Sequence, residues 1–368
     1  MRITVAILGG GLSGLYAARL LLAAGREVQL FEARARLGGR ILSVDGQGAP
    51  SDDGFELGPS WLWPGSQAEF AALVRELGLE LFPQHSDGDV LLERSSRGPA
   101  QRVRGFRQEP ESMRLAGGTS ALVRALAAEL PPTCVQLEHR LTRATLEPDG
   151  IRLSFATRGG LVDEVAAEHV VLALPPRLAA ATVEFSPALD AATAARWAST
   201  PTWMAPHAKF IALYERPFWR AARLSGTAQS AVGPMVELHD ATTHSGAAAL
   251  FGFIGVPATQ RAALGEPTLV RACVDQLVRL FGPDAAAPRA TLLKDWSRDP
   301  LTATAADVEP EGHPVPSPAP WVTGPWSARL SLCGSETSDT EPGLLAGAIQ
   351  AAARSTRALE TCLPAQRG

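Results

Sequence analysis

The first 32 residues constrain this chain most. Arg2-Ile3-Thr4-Val5-Ala6-Ile7-Leu8 is a run of apolar, largely β-forming residues, as expected of a parallel strand buried on both faces. Gly9-Gly10-Gly11-Leu12-Ser13-Gly14 follows and fits G-x-G-x-x-G. A helical pattern comes next, with Leu15, Ala18, Leu21 and Leu22 on one side, and Gly25 ends it. Glu27-Val28-Gln29-Leu30-Phe31 reads as the second strand, closed by Glu32. Gly9 permits the tight turn, Gly11 lets the backbone approach a pyrophosphate, and Gly14 lets helix and strand pack closely. Ser13 stands between them, in the first turn of the helix, where free N–H groups and partial positive charge favour phosphate. Glu32 lies where a carboxylate accepts hydrogen bonds from ribose hydroxyls and repels a 2′-phosphate, which argues against NADP. A lone glycine motif is weak; strand, helix, second strand and acid in order specify a dinucleotide-binding unit.

The residues after Glu32 bear on which dinucleotide. Ala33-Arg34-Ala35-Arg36-Leu37-Gly38-Gly39-Arg40 supplies two arginines, Arg36 and Arg40, that can neutralise phosphate, and a glycine pair that lets backbone come close. This stretch resembles the second fingerprint of the flavin amine oxidases, whose Gly-Gly-Arg lies along the FAD pyrophosphate. A plain NAD dehydrogenase has no need of it. The resemblance extends over nearly the whole chain. Glu56-Leu57-Gly58-Pro59-Ser60-Trp61 is similar to the family's segment around the flavin ring, and Glu76-Leu77-Gly78-Leu79-Glu80 to its following helix. Gly117-Gly118-Thr119-Ser120 is similar to its Gly-Gly turn, and Val135 to Leu141 to the strand that touches adenine. His169 to Leu174, ended by Pro175-Pro176, matches a buried strand of the family. Leu330 to Thr337 reads as strand, turn and acid, leading to Gly343 and a helix over Leu344–Leu359. The resemblance implies that Gly334, Ser335 and Glu336 close the FAD site, with Gly343 and Leu344 by the flavin. A positive helix end there stabilises anionic reduced flavin.

The fold expected is α/β: a Rossmann-like FAD-binding domain with a parallel sheet, and an inserted α+β substrate domain with a mixed or antiparallel sheet. The FAD-binding domain is discontinuous, over residues 1–83, 113–198 and 300–368; residues 84–112 and 199–299 form the substrate domain.

Lysine is scarce: only Lys209 and Lys294 occur among 34 basic residues. Lys209 lies in Pro206-His207-Ala208-Lys209-Phe210, ahead of Pro217-Phe218-Trp219. The resemblance implies a catalytic role for Lys209, holding a water at flavin N5 and stabilising the negative charge that builds as oxygen is reduced. Among apolar neighbours its pKa falls; the bland alternative is a surface lysine on an edge strand. His207, two residues earlier, is expected on the same strand face. Lys294-Asp295-Trp296-Ser297-Arg298-Asp299-Pro300 resembles a segment near the flavin, with Trp296 packed by the ring system or simply in the core.

Three departures bear on substrate. Covalent family members have a cysteine where this chain reads Thr304-Ala305-Ala306, so FAD is expected to be held noncovalently. Ala306 and Leu344 stand where a two-tyrosine cage would guide an amine nitrogen. Trp61, Trp63, Trp203 and Phe253 are candidates to line the site instead. The stretch between His85 and Gly117 is short where the family is mainly helical, which implies a more open site for a bulky substrate or one completed by a partner protein. Residues 307–326 are Pro-rich and read as an extended connection.

The expected activity is oxidation of a C–N bond in a small-molecule amine, with molecular oxygen or another electron acceptor taking the electrons. The alternatives are a flavin dehydrogenase or desaturase of a bulkier substrate, and a non-catalytic FAD-binding interaction protein. The net charge of −4 and pI near 6.0 give no case for nucleic acid. No apolar run is long enough to span a membrane, no metal-ligand spacing appears, and a homodimer is a compatible assembly. Four cysteines without CxxC spacing, and no signal-like N-terminus, lead to the expectation of reduced thiols and a cytoplasmic location.

Overall fold

A computed structural model describes residues 2–105, 109–160, 162–309 and 312–362, without the side chains of Arg2 and Cys362. The opening strand, Arg2–Leu8, is buried on both faces, as its unbroken apolar run requires. Val5 and Ile7 point into one cluster with Leu15, Ala18 and Leu21 of helix Leu12–Ala23. Ile3, Ala6 and Leu8 point into the other, with Phe155, Trp197 and Trp326.

Sheet I has eight strands. Its parallel centre is Val28–Phe31, Arg2–Leu8, the end of Val162–Leu172, and Leu330–Leu332. The long strand Val162–Leu172 also pairs antiparallel with Gly150–Ala156, which pairs with Arg140–Glu147. The C-terminal strand and its helix, Leu345–Cys362, therefore return to the N-terminal unit. The helix runs three residues beyond the expected Leu359. The expected strand from Val135 to Leu141 is broken. Val135–Gln136 pairs with Val28–Phe31, Glu138 adopts φ 60°, and a new strand starts at Arg140. A left-handed residue cannot continue a strand.

Sheet II has seven strands, in the order Ala290–Asp295, Ala208–Tyr214, Ala248–Ile254, Met235–Asp240, Leu224–Ser230, Asp89–Glu93, Gln101–Val103. All pairings are antiparallel except Leu224–Ser230 with Asp89–Glu93. One face packs on helix Glu266–Phe281 through Phe210, Ala212, Leu250, Leu277 and Leu280. The other carries Ile211, Leu213, Ala249 and Phe251 against Val44, Phe55 and Leu57. Pro217-Phe218-Trp219 ends the Lys209 strand: Trp219 is fully buried and its indole donates to Asp240 at 2.7 Å.

The polar stretch Glu93–Gly98 is a hairpin tip, and the buried Glu93 carboxylate is held by Ser230 and Arg279. This hairpin lies four strands away from the Lys209 strand. The Pro-rich connection has no strand and no α-helix among its described residues, only 3-10 turns at Ala305–Asp307 and Gly324–Trp326. Trp197 and Arg196 fasten it, the first through the Trp321 carbonyl at 2.7 Å, the second stacked on the Trp321 ring.

Candidate active site

The glycine turn is shaped for a ligand that passes close to backbone. Gly9 has φ 109°, and a Cβ there would stand 2.8 Å from the Ala173 carbonyl oxygen. A Cβ on Gly14 would overlap the Gly9 carbonyl oxygen. Gly11, by contrast, faces open space. It is the N-cap of helix Leu12–Ala23 and no side chain caps that end, so the first-turn amides are available to an anion. Glu32 is buried and ends the second strand; it accepts hydrogen bonds from the amides of Gly10 at 2.7 Å and Arg34 at 2.8 Å. A cleft begins here, at the ends of the first two strands, walled by Glu32, Ala33, Arg34, Leu141, Leu174 and Leu301. These features fit the phosphates, ribose and adenine of a dinucleotide.

The arginines are used differently from one another. Arg36 donates to the carbonyls of Leu37, Gly39 and Ile41, at 2.8–3.0 Å, so it shapes the Gly38-Gly39-Arg40 turn from inside. Burial pushes its pKa down. Gly39 lies over Gly11, which joins the two fingerprints. Arg34 pairs with Asp299 at 2.8 Å. Arg40 forms a two-pronged pair with the buried Glu336, at 2.6 and 3.1 Å, and donates to Ser335 and to the Trp203 carbonyl. It thus ties the second fingerprint to Gly334-Ser335-Glu336 across 296 positions of sequence. Gly343 donates its amide to Ser335 and lies against Trp203, where a Cβ would come within 2.6 Å. Leu344 immediately precedes the last helix.

Lys209 is 3% exposed. Its strand lies inside sheet II, between two partners, so the edge-strand alternative is excluded. The ammonium donates to Ser60 Oγ at 2.7 Å and the Gly58 carbonyl at 3.2 Å, and sits 4.1 Å from the centre of the Phe251 ring and 5.7 Å from Phe253. Desolvation pulls its pKa down to about 7; the charge of Glu56 opposes that fall. His207 departs from expectation. The strand begins at Ala208, and His207 instead closes the turn from Met204, with its Nδ1 buried and without a hydrogen-bond partner. The Pro206 that precedes it has no N–H to donate to a ladder.

The segment Glu56–Trp61 is the hub. Glu56 is buried and accepts from Thr119 N and Oγ1, both at 2.6 Å, and from Ser43 Oγ at 3.0 Å. Burial drives its pKa up, against those hydrogen bonds. The Leu57 carbonyl accepts from the Trp296 indole at 3.0 Å, which fixes Trp296 edge-on to this segment. The Pro59 carbonyl accepts from Thr119, and Gly58 and Ser60 hold Lys209. Trp61 donates to Gln84 and packs near His239, Phe251 and Phe253. Trp63 instead donates to Ser112. Trp203 stacks on His313 and lies 6.2 Å from His207. Ala306 is exposed on a 3-10 turn, its carbonyl turned to Arg177.

Sequence reasoning gave Glu56 and Thr119 no roles of their own, and missed Phe251, Glu237 and His239. Glu56 and Thr119 stood in recognised motifs, but their meeting across 63 positions carries no local signal. Phe251 and Phe253, and Glu237 and His239, each repeat at two-residue spacing, the mark of a shared strand face. Among the described residues, no group of three or more His, Cys, Asp or Glu could hold a metal ion, and no helix is long and apolar enough to cross a membrane.

Comparison with known proteins agrees with this geometry. A protein of Mycobacterium tuberculosis with the provisional name flavin-containing monoamine oxidase AofH is 26% identical over 454 aligned positions, covering 96% of this chain and 95% of that one. Putrescine oxidase of Kocuria rosea is 46% identical over a shorter stretch of 85 residues, 23% of this chain and 17% of that one. Two solved structures share the fold over 98% of this chain and 99% of theirs: a putrescine oxidase bound to putrescine (TM-score 0.78, 22% identity) and cyclohexylamine oxidase from Brevibacterium oxydans IH-35A (TM-score 0.79, 21% identity). The model of the flavin containing amine oxidoreductases matches residues 12–111 and 101–359. The chain belongs to the flavin-containing amine oxidoreductase family.

Proposed function

We propose that this protein is an amine oxidase that holds FAD noncovalently and oxidises the C–N bond of a small amine with molecular oxygen as acceptor. The observation that carries the reading is the buried Lys209, fixed by Gly58 and Ser60 on the same segment that anchors Trp296 and Glu56. When bound, FAD would supply the two-electron chemistry, taking a hydride from the carbon beside nitrogen and passing the electrons to oxygen as peroxide. Gly9, Gly11, Gly14 and the uncapped helix end would hold the pyrophosphate, Glu32 the ribose, and the Ala33–Leu141 cleft the adenine. Arg40 and Glu336 brace the far side of that site.

Lys209 brings a cation into a dry environment, where it stabilises negative charge far more than it would in water. Its nearly neutral pKa lets the same nitrogen give up or take a proton near Ser60. Trp61, Phe251 and Phe253 offer an apolar floor and exclude water beside it. Cys333 is buried, with its thiol pushed up to about 12 by desolvation, which makes it a poor nucleophile and supports noncovalent binding. Cys134, Cys273 and Cys333 are unpaired and buried, in keeping with a cytoplasmic setting.

Relatives named for putrescine and cyclohexylamine oxidation support an amine substrate here. Anaerobic mixing of the purified protein with a panel of amines tests the reading: bleaching of the flavin, followed on aeration by peroxide, is expected. Lys209→Met is expected to slow reoxidation more than reduction. A protein that no amine bleaches, or that is reduced without forming peroxide on aeration, is not this enzyme.

A further inference from the structure

This inference rests on the reading of oxygen as acceptor and adds a residue to it. Among the described residues, the Lys209 ammonium donates to two oxygens, the Gly58 carbonyl at 3.2 Å and Ser60 Oγ at 2.7 Å, and lies over two rings, Phe251 and Phe253. A carbonyl oxygen only accepts hydrogen bonds. An aromatic face only attracts the cation. A hydroxyl both accepts and donates. Of these four neighbours, Ser60 alone can take a proton from Lys209 and release another.

The Ser60 hydroxyl is half used. Its oxygen accepts from Lys209, and among the described residues no acceptor takes its hydrogen, although the side chain is buried. A buried donor is costly to leave unmade, so this hydrogen is aimed at something that enters the site. The segment also rests on the cofactor turn. A Cβ on Gly58 would overlap the Arg40 carbonyl oxygen, and the Trp296 indole pins the neighbouring Leu57 carbonyl.

The charged groups around the pair are committed elsewhere. Glu56 acts on Lys209 through its charge, while its oxygens accept from Thr119 and Ser43. Arg114 donates to the Ala241 and Thr242 carbonyls. Lys294, the cross-strand neighbour of Lys209, pairs with Asp299, and Glu237, beyond Phe253 in the sheet, pairs with His239.

We infer that Ser60 is the relay through which Lys209 delivers a proton to oxygen. Reduction of oxygen to hydrogen peroxide takes two electrons and two protons. The hydride carries both electrons and one proton. The second proton passes from Lys209 Nζ to Ser60 Oγ as the Ser60 hydroxyl hydrogen passes to the reduced oxygen. The serine is left unchanged and Lys209 neutral, to recover a proton from solvent.

Photochemical reduction of the flavin in the holoprotein, followed by mixing with oxygen, tests this in wild type, Ser60→Thr and Ser60→Val. The two variants have side chains of one shape and differ in the hydroxyl. Reduction by light keeps the test independent of any amine. Wild-type reoxidation should fall as pH rises through about 7, where Lys209 loses its proton. Ser60→Thr should keep that limb. Ser60→Val should lose it and reoxidise at least about tenfold more slowly on the acid side. With only two lysines in the chain, NMR of lysine labelled at its ε-carbon reads Lys209 directly. Its acid dissociation constant should be about ten- to a hundredfold larger in Ser60→Val than in Ser60→Thr. Should neither variant hold flavin, Ser60→Ala should be slow and be accelerated by added imidazolium. A Ser60→Val rate that reaches the Ser60→Thr rate at low pH, identical lysine titrations in the two, or a Ser60→Ala protein as fast as wild type would overturn the relay. A wild type that forms no peroxide would overturn the oxygen reading with it, whereas flavin that no amine bleaches would count against the amine reading and not against these rates.

Discussion

Replacing Lys209 with methionine should flatten the dependence of stability on pH above neutrality. Lys209 is 3% exposed and its pKa falls from 10.5 to about 7. In the unfolded chain the same lysine keeps its proton to about pH 10.4. Between those values the unfolded state binds more protons, so folding stability rises with pH. Below pH 7 the folded protein carries the full net cost of keeping the cation out of water, on the order of 5 kcal/mol. From pH 7 to pH 9 roughly 2 kcal/mol of that penalty is released. Methionine has a similar shape and no proton to lose, so the variant lacks this gain. The assay is urea denaturation of wild type and Lys209→Met at pH 7 and pH 9, compared as a difference so that slopes common to both proteins cancel. At pH 7 the variant loses two hydrogen bonds, to Gly58 and Ser60, worth about 1–3 kcal/mol each in unsatisfied acceptors, against the relieved desolvation. The wild-type protein should gain about 2 kcal/mol on the variant between the two pH values. Parallel pH profiles would refute the reasoning, because they would mean that the lysine titrates as it does in water.

The remaining predictions probe the supports of the site. Arg40→Met leaves the Glu336 carboxylate buried and unpaired, and should cost about 3–5 kcal/mol of stability and most FAD retention on gel filtration. Gly14→Ala puts a methyl onto the Gly9 carbonyl and should yield protein without bound flavin, whereas Gly48→Ala, with φ 83° but open space around it, should keep its flavin at a modest cost in melting temperature. Glu56→Gln sets an amide donor against the Thr119 and Ser43 donors, costing about 1–3 kcal/mol. Because the charge of Glu56 raises the Lys209 pKa, that variant should also move the neutral-pH limb of flavin reoxidation to lower pH, as read by stopped-flow aeration of reduced protein.

The parts of this protein legible in its sequence are those whose signals are local. The run Arg2–Leu8, the glycines at 9, 11 and 14 and the acid at 32 lie within one supersecondary unit, and each residue type has one physical reason to be there. Lys209 could be singled out because only two lysines occur among the 34 basic residues and because the segment around it resembles the family's. His207 shows the limit: two-residue spacing from Lys209 suggested a shared strand face, but Pro206 and the Met204 turn hold it outside the strand. Arg36 was legible as a cation beside a phosphate-binding turn, and its three backbone carbonyls were not, because only the folded turn brings them into range. Glu56 and Thr119 are brought together across 63 positions by the folding of distant segments, and no short window of sequence contains both partners.

The central claim is that segments from both ends and the middle of the chain enclose one noncovalently held FAD that amines reduce. Acid precipitation of the purified protein, with the supernatant and pellet assayed for flavin, addresses it most directly when paired with anaerobic amine addition to the untreated sample. The account predicts a yellow protein, bleached by amine, that releases equimolar FAD into the supernatant. A colourless protein that fails to take up added FAD, or flavin that stays with the pellet, would contradict it.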